Sequence, residues 1–159
     1  MNYLDYAATT PVNAEVLEVI TKEMASFGNP SSVYRIGREQ KQKIERVKKA
    51  ILSELQASPH DAIIFTSSGS EGNNLVFESI REHFAKERGH IIVSSVEHPS
   101  VRKPAEFLEQ EGFDVTYLAP NKDGIVTVSE IEQALRKDTR LVSIMTVNNE
   151  TGARFPIEE

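Results

Sequence analysis

Short β-branched runs alternate with amphipathic helical stretches along this sequence. That order predicts an α/β fold with a largely parallel sheet and helices on both of its faces. The runs are Ile63-Ile64-Phe65, Ile91-Ile92-Val93, Val115-Thr116-Tyr117-Leu118 and Leu141-Val142-Ser143-Ile144-Met145, each bounded by turn residues. Composition agrees with that class. A chain of 159 residues with 39% apolar side chains can bury roughly 70% of the surface it exposes when unfolded, enough for one ordinary domain without disulfides.

Two helices come before the first run. Val16, Leu17, Ile20 and Met24 recur at spacings of three and four and predict a helix over residues 13–26, which Phe27-Gly28-Asn29-Pro30 stops. Ile44, Val47, Ile51 and Leu55 form the apolar stripe of a second helix from about Arg38 to Gln56. Its lysines Lys41, Lys43, Lys48 and Lys49 are expected on a solvated face. Three further helices separate the strands. One starts near Glu71 with Ser70 as its N-cap and carries Leu75, Val76, Ile80 and Phe84; one follows Pro99 with Val101, Ala105 and Leu108. The last is announced by Ser129 and Glu132 at a capping-box spacing. Pro156 followed by Glu158 and Glu159 has the chemistry of another helix beginning, so the sequence reads as the front part of something longer.

Charge and residue usage narrow the function. With 18 basic and 24 acidic side chains, a net charge of -6 and no basic tract, neither nucleic acid nor a membrane surface is the expected partner. The absence of cysteine excludes a disulfide framework, a thiolate metal site and a thiol nucleophile within these residues. No histidine pair has metal-ligand spacing, so no metal site is expected. Met1 to Asp5 lacks both a basic leader and an apolar signal core, which favours a cytoplasmic protein.

Ligands on parallel sheets sit at the carboxyl ends of the strands, which directs attention to three loops. Thr66-Ser67-Ser68-Gly69-Ser70-Glu71-Gly72-Asn73-Asn74 is small, hydroxyl-rich and directly before a helix. It suits either a capped turn or an anion held by backbone N–H groups and hydroxyls. It has neither the Gly-Lys-Ser/Thr of an ATP loop nor the three spaced glycines of a dinucleotide loop. Glu97-His98-Pro99-Ser100 places a histidine where it is either a polar turn residue or a group able to stack on a planar ligand and carry a proton. Val147-Asn148-Asn149-Glu150-Thr151-Gly152 suits either a turn network or polar recognition of a ligand.

These loops, in this order, together with Leu4-Asp5-Tyr6-Ala7-Ala8-Thr9-Thr10-Pro11 and Phe27-Gly28-Asn29-Pro30-Ser31-Ser32, resemble the N-terminal part of cysteine desulfurases. These belong to the class V aminotransferase group of fold-type I pyridoxal 5'-phosphate enzymes. The resemblance covers essentially all 159 residues and implies an N-terminal segment followed by the first part of the cofactor-binding large domain. It implies that Gly69 and Ser70 hold the cofactor phosphate, that His98 stacks on the pyridine ring and acts in catalysis, and that Asn149 touches the cofactor near its phenolic oxygen. It further implies L-cysteine as substrate, sulfur transfer through an enzyme persulfide, a sulfur-acceptor protein and a homodimer. Iron–sulfur cluster assembly and transfer-RNA thiolation both fit such an enzyme. Ser68 stands where the family usually has Gly, and Ser70 where it has Thr. The family's Schiff-base lysine after Ser-x-His, its pyridine-pairing aspartate, the neighbouring glutamine and the nucleophilic cysteine have no counterpart in these residues, so the chain alone is expected to be inactive. Rival readings are a selenocysteine lyase or aminotransferase of the same group, and a non-catalytic binding or dimerisation module.

Overall fold

A computed structural model describes residues 2–58 and 60–158. The chain divides into two compact units, Met1–Phe65 and Thr66–Glu159, where composition predicts one domain.

The first unit holds α1 (Ala14–Met24) and α2 (Arg35–Glu54). Asn13 caps α1 by accepting the Glu15 N–H at 2.8 Å. Polar groups fasten the two helices: Lys43 Nζ lies 2.7 Å from the Glu23 carboxylate and 3.0 Å from the Ser26 hydroxyl, which also accepts from Gln40 Nε2 at 2.9 Å. Two of the lysines expected on a solvated face are paired, Lys43 in this way and Lys48 with Glu45 at 3.7 Å. α2 starts at Arg35, three residues before the expected Arg38, because its N-cap Tyr34 makes no side-chain capping bond and leaves no local signal. Gly37 is the buried residue of α2. A Cβ there would run into the Ser32 side chain and the Asn29 carbonyl, so only glycine lets the helix sit on the turn before it.

Ile63-Ile64-Phe65 is not a strand. Residues 61–66 are irregular, and Ile64 and Phe65 are exposed. Extended backbone becomes a strand only beside a ladder partner, and no described residue offers one to this run.

The second unit runs α3 (Gly69–His83), β1 (His90–Ser94), α4 (Pro99–Gln110), β2 (Asp114–Leu118), α5 (Val128–Ala134) and β3 (Thr139–Ser143). Among the described residues the strands form a sheet in the order β2-β1-β3, with both pairings parallel. The fold class is therefore the expected α/β one. β1 is central and buried throughout. Alternation sends Ile91 and Val93 to one face, where they pack with Phe77 of α3, with Val101, Ala105 and Leu108 of α4, and with Phe113. α5 lies against β2. Its capping box is Thr127 with Glu130, not Ser129 with Glu132: the Glu130 carboxylate accepts the Thr127 N–H at 2.8 Å and the Thr127 hydroxyl at 2.7 Å. Ser129 instead accepts from Gln133 Nε2.

The register between β1 and β3 shifts after His90, so Arg140 is an extra residue on β3. Its guanidinium sits 4.4 Å from the centre of the Phe84 ring. Gly89 makes room for this bulge. Its φ is +121°, and a Cβ would lie 2.8 Å from Arg140 Cγ and 2.9 Å from the Asp138 carbonyl. β3 ends at Ser143 rather than Met145, and residues 157–158 form a turn rather than the expected helix start.

Candidate cofactor-binding site

Helix α3 opens one residue earlier than its predicted cap. The N-cap is Ser68, whose hydroxyl accepts the Glu71 N–H at 3.2 Å, so Ser70 lies within the first helical turn. The reason is a second anchor the spacing did not suggest. The Glu71 carboxylate folds back to take the Ser67 hydroxyl at 2.6 Å and the Ser67 N–H at 2.5 Å, and these two bonds hold its carboxyl below the ordinary value. Thr66 Oγ1 closes the loop by donating to the Ser68 carbonyl at 3.0 Å.

Anion chemistry is thereby confined to the next two positions. Gly69 and Ser70 are the first two helical residues, whose N–H groups have no carbonyl to reach within α3. Among the described residues neither these N–H groups nor the Ser70 hydroxyl has a hydrogen-bond acceptor in the chain, and both residues are exposed. A Cβ at Gly69 would meet nothing within 4 Å, so the approach is open. Two backbone donors, one hydroxyl and the positive end of a helix form a donor set suited to a phosphate dianion.

His98 follows β1 and is the N-cap of α4. Its ring Nδ1 accepts the Ser100 N–H at 3.1 Å and lies 2.8 Å from the Ser100 hydroxyl. That hydroxyl in turn takes a hydrogen bond from Asn73 Nδ2 at 2.9 Å. The anion loop's helix and the histidine's helix are thus tied at their first turns. Pro99 at the first helical position supports the start, since no N–H is needed there.

The third loop follows β3, the neighbour of β1, so both loops leave the same carboxyl edge. Its two asparagines divide the work. Asn148 is buried: its Oδ1 accepts the N–H groups of Glu150 and Thr151 at 3.0 and 2.9 Å, and its Nδ2 donates to the Val96 carbonyl at 3.2 Å. Asn149 is exposed, with its amide on the Glu150 carboxylate at 2.8 Å. Buried Glu97 completes the join, one oxygen accepting the Ser94 hydroxyl at 2.8 Å and the Met145 N–H at 2.7 Å.

Gly69, Ser70, His98 and Asn149 therefore stand on three segments joined by side-chain hydrogen bonds. Sequence reasoning missed the joining residues Asn73, Ser100, Glu97 and Asn148. Their partners are as far as 52 residues away in sequence, which no local spacing reveals. His90 is buried within β1, its ring nitrogens 2.9 Å from Thr139 Oγ1 and 2.8 Å from Thr116 Oγ1. The described residues contain no group of three or more metal-ligating side chains.

Known proteins resemble this chain in sequence and in fold. The sequence model of the family described as aminotransferase class-V matches residues 2–159. The cysteine desulfurase IscS of Dictyoglomus turgidum is 45% identical over 99% of this chain, which spans 40% of that protein. The mitochondrial cysteine desulfurase of Eremothecium gossypii is 41% identical, and the chain spans 32% of it. A structure of SspA in complex with cysteine superposes with a TM-score of 0.92 at 40% identity, covering 99% of this chain and 46% of that one. The crystal structure of DndA from Streptomyces lividans gives 0.83 at 40% identity, with coverages of 98% and 44%. The chain thus spans less than half the length of these relatives. With its family matched from residue 2 to residue 159, the chain belongs to the aminotransferase class-V family of pyridoxal 5'-phosphate enzymes.

Proposed function

We propose that these residues are the phosphate- and ring-holding part of a pyridoxal 5'-phosphate-dependent cysteine desulfurase, which takes sulfur from L-cysteine and leaves L-alanine. The observation that supports this best is the tie between the open donors at Gly69 and Ser70 and the ring of His98, made through Asn73 and Ser100. A phosphorylated planar ligand needs both at once. The names of the relatives and the likeness to a structure holding cysteine support the substrate.

The surroundings of each residue support the role proposed for it. The N–H groups of Gly69 and Ser70 and the Ser70 hydroxyl bind the cofactor phosphate. The His98 ring would help hold the cofactor and would carry a proton at Nε2, because Nδ1 is engaged by Ser100. Asn149, whose side-chain amide lies 2.8 Å from the Glu150 carboxylate, would help hold the cofactor. Pyridoxal phosphate, when bound, supplies the ring that withdraws electrons from the substrate amine. The thiol that accepts sulfur must come from outside these 159 residues, which contain no cysteine. The whole enzyme is read as a cytoplasmic homodimer that passes sulfur to an acceptor protein; among the described residues no helix is long and apolar enough to cross a membrane.

The test is alanine release from L-cysteine in the presence of pyridoxal phosphate. The whole protein that contains these residues is expected to release it, and the 159-residue chain alone is not. Release by a whole protein only from selenocysteine, or transamination without sulfur release, would overturn the desulfurase reading in favour of a sister enzyme. Binding of pyridoxal phosphate without any turnover by the whole protein would make it a binding module.

A further inference from the structure

We propose that Asn73 and Ser100 are positioning residues that hold the neutral His98 ring as its Nε2–H tautomer, so that Nε2 meets a ligand as a hydrogen-bond donor. Donor accounting carries the inference. The Ser100 backbone N–H can only donate, and it lies 3.1 Å from His98 Nδ1, so that nitrogen bears a lone pair rather than a proton. The Ser100 hydroxyl has one proton. Asn73 Nδ2 already donates to its oxygen at 2.9 Å, and among the described residues the one other partner within reach is Nδ1 at 2.8 Å. The hydroxyl proton therefore goes to the histidine. Two donors converge on Nδ1, and the ring's remaining proton belongs on Nε2.

The geometry also fixes the ring in space. His98 is the helix cap whose carbonyl accepts from the Val101 and Arg102 N–H groups, so backbone and ring are held by the same turn. Asn73 reaches it from the first turns of α3, which also carry Gly69 and Ser70. Orientation of the ring and of the anion donors is thus coupled through one hydroxyl. The use made of the Nε2 proton rests on the desulfurase reading; the tautomer itself does not.

The tautomer is read directly by two-bond proton–nitrogen NMR correlation on the 159-residue chain labelled in histidine, at a pH where imidazoles are neutral. The His98 signals are identified by their loss in His98→Gln. They are expected to show the proton predominantly on Nε2, with a minor Nδ1–H population. Ser100→Ala keeps the backbone donor but removes the hydroxyl, and Asn73→Asp gives that hydroxyl an acceptor to turn towards. Each is expected to raise the Nδ1–H fraction roughly fivefold, the effect of one hydrogen bond of ordinary strength. Ser100→Thr, which keeps the hydroxyl, is expected to match the parent. A parent with its proton on Nδ1, an unchanged ratio in both Ser100→Ala and Asn73→Asp, or a Ser100→Thr protein that behaves like Ser100→Ala would overturn the proposal. In the whole enzyme, Ser100→Ala is expected to lower kcat with KM little changed. A whole protein that never releases alanine sinks the desulfurase reading, while the NMR measurement still decides this one.

Discussion

Glu97 is the side chain on which the join between the second and third loops rests. It is 8% exposed, and one carboxylate oxygen serves both the Ser94 hydroxyl and the Met145 N–H. Glu97→Ala strips the acceptor from two donors. Each unsatisfied group costs about 1–3 kcal/mol, so a loss of about 2–6 kcal/mol is expected in urea unfolding, with Glu97→Gln costing less because it keeps a carbonyl oxygen. An unchanged midpoint in Glu97→Ala would show that the carboxylate does not hold the loops. At the anion loop, Ser70→Ala removes one of the three free donors and should weaken phosphate or pyridoxal phosphate binding by roughly tenfold, since hydrogen bonds to charged groups contribute about 1.5–3 kcal/mol. His98→Ala should weaken pyridoxal phosphate while leaving inorganic phosphate nearly unchanged. NMR titration checks both, and amide signals from Ser68 to Asn73 that stay still at high phosphate would sink the anion reading.

At the scale of the element, β1 carries an unusual load: a histidine buried between two strands. Burial, and then the positive charge of Arg136, lower the pKa of His90 against the opposing pull of Asp114 and Asp138. The sign follows directly. The unfolded chain takes up the proton near the ordinary value of about 6.5 while the folded chain resists it, so stability is complete above that pH and is lost as pH falls below it. The carboxyls of Glu71 and Glu130, held low by hydrogen bonds from Ser67 and Thr127, add their own loss only further down, below the ordinary value of 4.5. Urea midpoints should therefore decline between about pH 6.5 and 5, and His90→Gln should flatten that decline at the cost of lower stability throughout. A parent protein equally stable across this window would contradict the assignment.

At the scale of the whole molecule, unclaimed apolar surface dominates. α1 has no buried residue, and Val16, Leu17, Ile20 and Met24, the stripe that predicted the helix, are all exposed. β2 and β3 each have an outer edge without a partner among the described residues. Open edges and apolar patches template association. Light scattering on the 159-residue chain should show mass rising with concentration, and a steady 17.8 kDa particle over a wide range would refute this.

The sequence alone determined what depends on near neighbours. The helical stripes of α1, α2 and α4, the strands at residues 91–93 and 115–118, the parallel α/β class and the three loops were legible because periodicity, Pro99 and turn residues act over a few positions. Cap positions were off by two residues, since Ser68 and Ser70, or Thr127 and Ser129, are chemically alike and only the fold chooses between them. Tertiary structure alone decided the rest. Ile63-Ile64-Phe65 has strand composition but no ladder partner, Asn148 rather than Asn149 is the buried amide, and Asn73 meets Ser100 across 27 residues. A hydrogen bond between distant segments, or a strand's need for a neighbour, is a property of where chains meet, and meeting is settled by the packing of α3 and α4 on β1.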